Sequence, residues 1–403
     1  MKATLLLLST AAFVTAGCNL GPHMESGVRY NNPTTPPAEA PRELTLEEAK
    51  ALEAPSLPLY KVELLGRSIS VEAAGAPEVK IEVDDNGAQA ATVLIPLAEG
   101  RPRAICFANE HMRTFGATMR AFFSGILKDH PMRPSAQEFA IEGDSVHPLV
   151  RFDAVFTTPQ KAAIPLQVVF APMSTRSGMC VIEGMAFHKT LLRIAKEVLT
   201  PLADLEPPSV YSELKVIRME GLPIGFEWDR YFDRGAKQLG YQSITGTFGL
   251  SREGLMFHDS FHEARIDDRG QLTRAETQSV DNRGKTASVL ERTQKGAVYT
   301  RLVGGREHKA DIAQMPTSNL EDARIYSKVA HGDKKTAVPT FPNRDGKIIP
   351  IMISREGERT LLLKYNDEVS RCELDENGSC TKKTSGSLVH ERVSSQGTFP
   401  KLH

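Results

Sequence analysis

Five cysteines and one dense run of histidines and acids are the residues of this 403-residue chain whose types and spacing bear most directly on chemistry. His258-Asp259-Ser260-Phe261-His262-Glu263 offers two imidazoles and two carboxylates, the groups that ligate metals or move protons. The flanking Leu255-Met256-Phe257 and Ala264-Arg265-Ile266, with the Asp267 to Gly270 turn beyond, read as strand. A strand puts His258 and His262 on one face about 13 to 14 Å apart, too far to share an ion. The order also departs from the His-Glu-x-x-His and His-x-x-Glu-His zinc patterns, so a polar strand face is expected there, with no metal and no cofactor.

Other catalytic patterns fare no better. The chain lacks a Gly-x-Ser-x-Gly elbow, a P-loop, and a Gly-x-Gly-x-x-Gly opening a helix after a strand. Cys106 with His188 and Asp204 is a nameable Cys-His-Asp set, but Cys106 lies in the strand-like run Ala104-Ile105-Cys106-Phe107. The repeated Asp/Asn-Gly turns fail the calcium-loop spacing: alignments begun at Glu82 and Glu373 place Val93 and Thr384 where a bidentate Glu is needed. Lys+Arg 49 against Asp+Glu 50 leaves a net charge of -1, which gives no basic field for nucleic acid. A non-catalytic protein is therefore expected.

Apart from Cys18, four cysteines remain: Cys106, Cys180, Cys372 and Cys380. Cys372 and Cys380 flank an Asp-Glu-Asn-Gly turn sequence and are expected to bridge a hairpin. Cys106 and Cys180 both sit in strand-like runs, where a second bridge and two buried free thiols are equally reasonable.

Four segments follow from composition and periodicity. Residues 1–18 hold Lys2, an apolar stretch of about a dozen residues, and a small-residue end at Ala16-Gly17-Cys18, the layout of an export signal. Residues 19–43 carry Pro22, Pro33, Pro36, Pro37 and Pro41 and read as a tether without a core. Residues 44–207 open with the capping-box spacing Thr45-Leu46-Glu47-Glu48, predicting a helix over 46–53. A hairpin over 79–95 and an amphipathic helix over 112–127 follow. Further strands and a helix spaced Phe187, Leu191, Ile194, Val198, Leu202 complete an α+β domain: an antiparallel sheet covered by two helices. Residues 208–403 carry turn signals at meander spacing and predict a mostly antiparallel β-meander or open barrel. Ser318 to Gly332 stays open between a capped helix and a strand.

Ala16-Gly17-Cys18 resembles the lipobox of bacterial lipoproteins, in which the Cys is acylated and becomes the first residue. The resemblance implies a membrane anchor at Cys18, and Asn19 in place of Asp points to the outer membrane. Met219-Glu220-Gly221-Leu222-Pro223-Ile224-Gly225-Phe226-Glu227 resembles the start of β-rich regions associated with transglutaminase-like domains in exported bacterial proteins, which implies an envelope β-domain without chemistry. The leading expectation is an outer-membrane lipoprotein, facing periplasm or cell surface, with a binding or structural role toward an envelope protein. The alternatives are a carrier of a lipid or other apolar ligand in the C-terminal β-domain, and an envelope hydrolase.

Overall fold

The computed structural model describes residues 56–97, 103–129, 133–157, 163–183, 188–251, 254–332, 335–342 and 346–400. The Cys18 segment, the tether and the helix expected over 46–53 lie outside the described residues. A hairpin of β1 (Leu59–Leu64) and β2 (Arg67–Glu72) precedes a seven-stranded antiparallel sheet. That sheet runs β3 (Glu78–Val83), β4 (Gln89–Pro96), β5 (Arg103–Asn109), β9 (Ser177–Glu183), β8 (Ala163–Pro172), β7 (Val150–Thr157), β6 (Arg133–Ile141). Local chemistry sets its first turn: the Asp84 carboxylate accepts the amides of Asn86 and Ala88, and Gly87 takes the φ of 83° that a side chain resists. Asp267 and Asp375 cap their hairpins with the same two bonds, to Arg269 and Gln271 and to Asn377 and Ser379.

The second sheet has fourteen strands and comprises two meanders. The first is β10 (Tyr211–Met219), β11 (Leu222–Asp233), β12 (Leu239–Ser251), β13 (Gly254–Ile266), β14 (Leu272–Asp281), β15 (Gly284–Thr293), β16 (Gly296–Val303) and β17 (Arg306–Ile312). The second is β18 (Thr336–Pro339), β19 (Pro350–Arg355), β20 (Thr360–Tyr365), β21 (Glu368–Leu374), β22 (Cys380–Ser385) and β23 (Leu388–Gly397), and β23 returns to pair with β10. Between the meanders Ser318 caps a helix over Asn319–Ala330. Its hydroxyl accepts the Glu321 amide while the Glu321 carboxylate accepts the Ser318 amide, which decides the segment left open by sequence.

The α+β class expected from the sequence does not hold. Strand makes up 58% of the structure and helix 12%, and the two N-terminal helices do not jointly cover their sheet. Helix α1 (Phe115–Asp129) and helix α2 (His188–Ala203) lie on opposite faces of it; the Ser318-capped helix is α3. On one face α2 and the β1–β2 hairpin pack Leu191, Ile194, Val198, Ile69 and Val71 on Val93, Ile95, Val169 and Ile182. On the other, Phe115, Met119, Phe122 and Phe123 of α1 meet Phe152, Phe156 and Phe170 beneath, and Leu214, Phe226, Trp228 and Phe248 of the large sheet above. Spacing identifies an apolar stripe on a helix but not which sheet receives it, and α1 is wedged between two.

Both cysteine pairs are bonded. Cys106 and Cys180 face each other directly across β5 and β9, Cα atoms 4.0 Å apart, and Cys372 and Cys380 join β21 to β22 at 5.7 Å. Cys106 therefore has no free thiol for nucleophilic chemistry. Replacing both Cys106 and Cys180 by Ala is expected to lower stability by about 4 to 5 kcal/mol, because the bridge closes a long loop in the unfolded chain. Urea denaturation of the pair of proteins checks this.

Candidate functional site

Strand alternation divides the large sheet into two faces. Even positions of β10 and β11, Leu214, Val216, Phe226 and Trp228, pack toward α1. Odd positions turn the other way and include the charged Glu213, Lys215, Glu227 and Asp229. Register sets Lys215 opposite Glu227, Glu213 opposite Asp229 and Tyr211 opposite Tyr231, with Arg392 of β23 opposite Lys215 on its other side. The Lys215 ammonium thus lies 2.7 Å from Glu213, 2.8 Å from Glu227 and 2.5 Å from Asp229. His390 Nδ1 is 2.8 Å from Glu227, and Arg392 bridges Glu213 at 3.2 Å and Asp375 at 2.8 Å. Tyr241 donates to Asp229 at 2.7 Å and Tyr211 to Glu213 at 2.9 Å. The rings of Tyr211, Tyr231 and Tyr241 stand side by side and wall the charges from solvent.

Lys215, Glu227 and Asp229 titrate far from their ordinary ranges. Burial disfavours the Lys215 ammonium, but Asp229, Glu227 and Glu213 outweigh it and hold its pKa well above the usual lysine value. Burial likewise opposes the Glu227 charge, and Lys215 and His390 overcome it and hold that carboxyl well below its range. Asp229 goes the other way: burial, with Glu227 and Glu213 close by, pushes it up to about 7 despite Lys215. Beyond burial, four carboxylates, Glu213, Glu227, Asp229 and Asp375, crowd around Lys215 and Arg392, with His390 on Glu227, so a proton held on Asp229 relieves the excess.

The cluster holds Lys215 protonated, without a lone pair for attack, and walls Asp229 with tyrosines. It reaches a surface concavity of about 360 Å³ where Tyr211, Arg392 and Asp375 line the wall with Arg359, Asn377 and Phe399. From there the same face continues as half-buried Ser243, Thr245, Ser260, Thr277, Ser279 and Ser288.

His258 and His262 lie on this face of β13, on one side of the strand as its geometry requires. His258 is exposed. His262 bonds Thr277 at 2.8 Å, its ring lies beside Tyr241 and Phe341, and burial pushes its pKa down to about 4. Among the described residues no group of three or more His, Cys, Asp or Glu is placed to hold a metal. The residues that sequence reading passed over are Glu213, Lys215, Glu227, Asp229 and Arg392. Their signal was the alternation itself, Glu213-Leu214-Lys215-Val216 and Glu227-Trp228-Asp229, which looks the same whether the polar face meets water or a closed cluster.

No family model matches the sequence, and no curated protein does. Among solved structures the chain is similar to a beta-barrel-like protein of a domain of unknown function, DUF1849, from Brucella abortus, at 10% identity and TM-score 0.35 over 48% of this chain and 100% of that one. It is also similar to a DUF1089 family protein from Pseudomonas aeruginosa, at 13% identity and TM-score 0.28 over 40% of this chain and 90% of that one.

Proposed function

We propose that this chain is an exported binding protein of the bacterial envelope, anchored through acylated Cys18 and presenting the charged face around Lys215 to a polar ligand or envelope partner. The buried cluster that opens at Arg392 into a polar concavity carries the reading. Assembling four acids with Lys215, Arg392 and His390 in a protein interior costs solvation that a purely structural sheet has no need to incur. The two disulfides support an oxidising compartment, as does the signal-like sequence before Cys18. The opening, lined by Arg359, Asp375, Glu376, Asn377, Arg392 and Ser395, favours a polar ligand over an apolar cargo.

Cys18→Ser is expected to move the full-length protein from the membrane fraction to the soluble periplasmic fraction; continued retention in membranes overturns the anchor. Native mass spectrometry of that variant is expected to show a bound polar species that Arg392→Met loses. A bare polypeptide mass removes the binding part of the reading.

A further inference from the structure

Among the described residues, each large sheet ends in two strands whose outer backbone has no further strand beside it, and three of these four are protected. Strand β17 carries Arg306 and His308 on one face and Glu307, Lys309 and Asp311 on the other, so any pairing there buries charge on both faces. Strand β18 is four residues long and ends in Pro339, and β6 packs on β11 and β12. Strand β3 touches the β1–β2 hairpin only through β1 and is otherwise open. It is six residues without proline or bulge, exposed along its whole length, and alternates Glu78-Val79-Lys80-Ile81-Glu82-Val83.

Its apolar row belongs to the core layer. Val79 stands opposite Val93 and Ile81 opposite Ala91, both buried against the α2 side, while Val79, Ile81 and Val83 themselves are 37%, 48% and 63% exposed. The hairpin bond from the Asp84 amide to the Ala88 carbonyl fixes the phase of the ladder. By alternation Lys80 and Glu82 turn their amides and carbonyls toward β4, and Val79, Ile81 and Val83 turn theirs outward. The outer edge of β3 therefore offers three amides and three carbonyls, spaced for another strand, beside an apolar row that stops in solvent.

We propose that this edge joins two copies of the chain, with β3 pairing antiparallel to β3 of the second copy about a two-fold axis through Ile81. Directly opposed residues of an antiparallel pair share a face, so a symmetric pairing must centre on a residue. Centring on Lys80 sets lysine on lysine and Glu78 on Glu82; centring on Glu82 sets glutamate on glutamate. Centring on Ile81 sets Ile81 on Ile81 and Val79 on Val83 on the core face, and Lys80 on Glu82 twice on the other. The Lys80 and Glu82 side chains already meet at 2.7 Å within one strand, so the dimer joins two such pairs into an alternating square of charge. The outward groups of Val79, Ile81 and Val83 then form about six backbone hydrogen bonds across the axis. The charges that would protect a lone edge here select the register instead.

Sedimentation velocity on the full-length chain carrying Cys18→Ser tests this, at concentrations up to about 100 μM because a strand-sized interface sits at the weak end of specific association. The expected result is a reversible dimer at twice the chain mass. Lys80→Glu and Glu82→Lys are each expected to weaken it by about tenfold or more, by setting like charges opposite each other at two places. An equimolar mixture of those two variants is expected to associate as well as the unmodified edge, because across the axis every carboxylate of one variant strand then meets an ammonium of the other. Both positions are exposed, so folding is undisturbed. A monomer throughout the range overturns the proposal. So does a dimer that either single variant leaves intact, which places the contact elsewhere, or a mixture no stronger than the separate variants.

Discussion

Lys215→Met is expected to cost about 3 to 5 kcal/mol of folding stability at pH 7, because it leaves buried carboxylates without their shared cation. The stem packs almost unchanged, so the loss reports charge rather than volume. At pH 7 Glu227 stays ionised in the native protein because the Lys215 ammonium stands 2.8 Å away, with His390 on its other oxygen. Without the ammonium the Glu227 pKa rises, as burial has already raised that of Asp229 to about 7. A carboxyl with a raised folded pKa binds a proton that the unfolded chain releases, so its contribution to stability grows as pH falls through the folded value toward the unfolded one. The penalty of Lys215→Met should therefore shrink between pH 7 and about pH 5. In the wild type Glu227 works in the opposite sense: held below its ordinary range, it contributes stability above about pH 4.5 that is lost as pH falls through its lowered value. Urea midpoints at the two pH values check the prediction. A penalty independent of pH would assign the loss to packing. Adding Glu227→Gln and Asp229→Asn to the variant should recover most of the stability, since uncharged neighbours have no need of the cation.

What the sequence showed and what it hid follow from the range of each interaction. The turns at Asp84, Asp267 and Asp375 were legible because each carboxylate bonds amides two and four residues ahead in its own loop. The Cys372–Cys380 bridge was legible for the same reason. Helices α1 and α2 were visible as stripes, yet nothing in Phe115 to Phe123 says that a second sheet, contributed by residues a hundred positions later, closes over them. The charge cluster is the extreme case. Lys215 and Glu227 meet through one hairpin, but Arg392 and His390 arrive from β23, some 160 to 180 residues on, through a strand return that no local pattern encodes. Glu206 was hidden too. It reads as part of a linker between two prolines and a helix end, and in the fold it is buried, bonding Ser174 at 2.8 Å and Arg230 at 3.0 Å while Arg230 lies over Trp228. Ser174 and Arg230 overcome the burial that opposes its charge and hold its carboxyl below the ordinary range.

Asp259, which sequence reading placed in a metal-like run, is expected to prove a structural pin between the two sheets. It turns to the α1 side of β13, and its two oxygens accept the amides of Gly116 at 2.7 Å and Ala117 at 2.8 Å, opening the helix from 142 residues away. Those amides are unpaired within the helix, and a carboxylate at the positive end of the helix satisfies both. Asp259→Ala should cost about 3 kcal/mol or more, two charge-assisted bonds being lost with their donors left buried. Burial nevertheless raises Asp259 to about 6, so ionising it in the fold has a cost: between pH 3.8 and about 6 the native state holds the proton more tightly, and stability declines as pH rises, by about 3 kcal/mol across that window. Asp259→Asn keeps an acceptor but does not titrate, so its denaturation midpoint should lack this component of the slope while sitting above that of Asp259→Ala. Gly116→Ala tests the same joint from the helix side. An added Cβ would lie 2.8 Å from the Thr247 carbonyl oxygen and from Phe257 Cβ, and 2.9 Å from Asp259, with backbone among the groups that must yield. Gly246 across the contact would place a Cβ 2.9 Å from Phe115 Cβ, so the helix is seated as close as two glycines allow. Gly116→Ala should therefore lift the helix start off β12 and β13, costing about 1 to 3 kcal/mol and raising amide exchange at Gly116 and Ala117. Exchange left unchanged there, with stability lost, would place the strain in the sheet instead of at the joint.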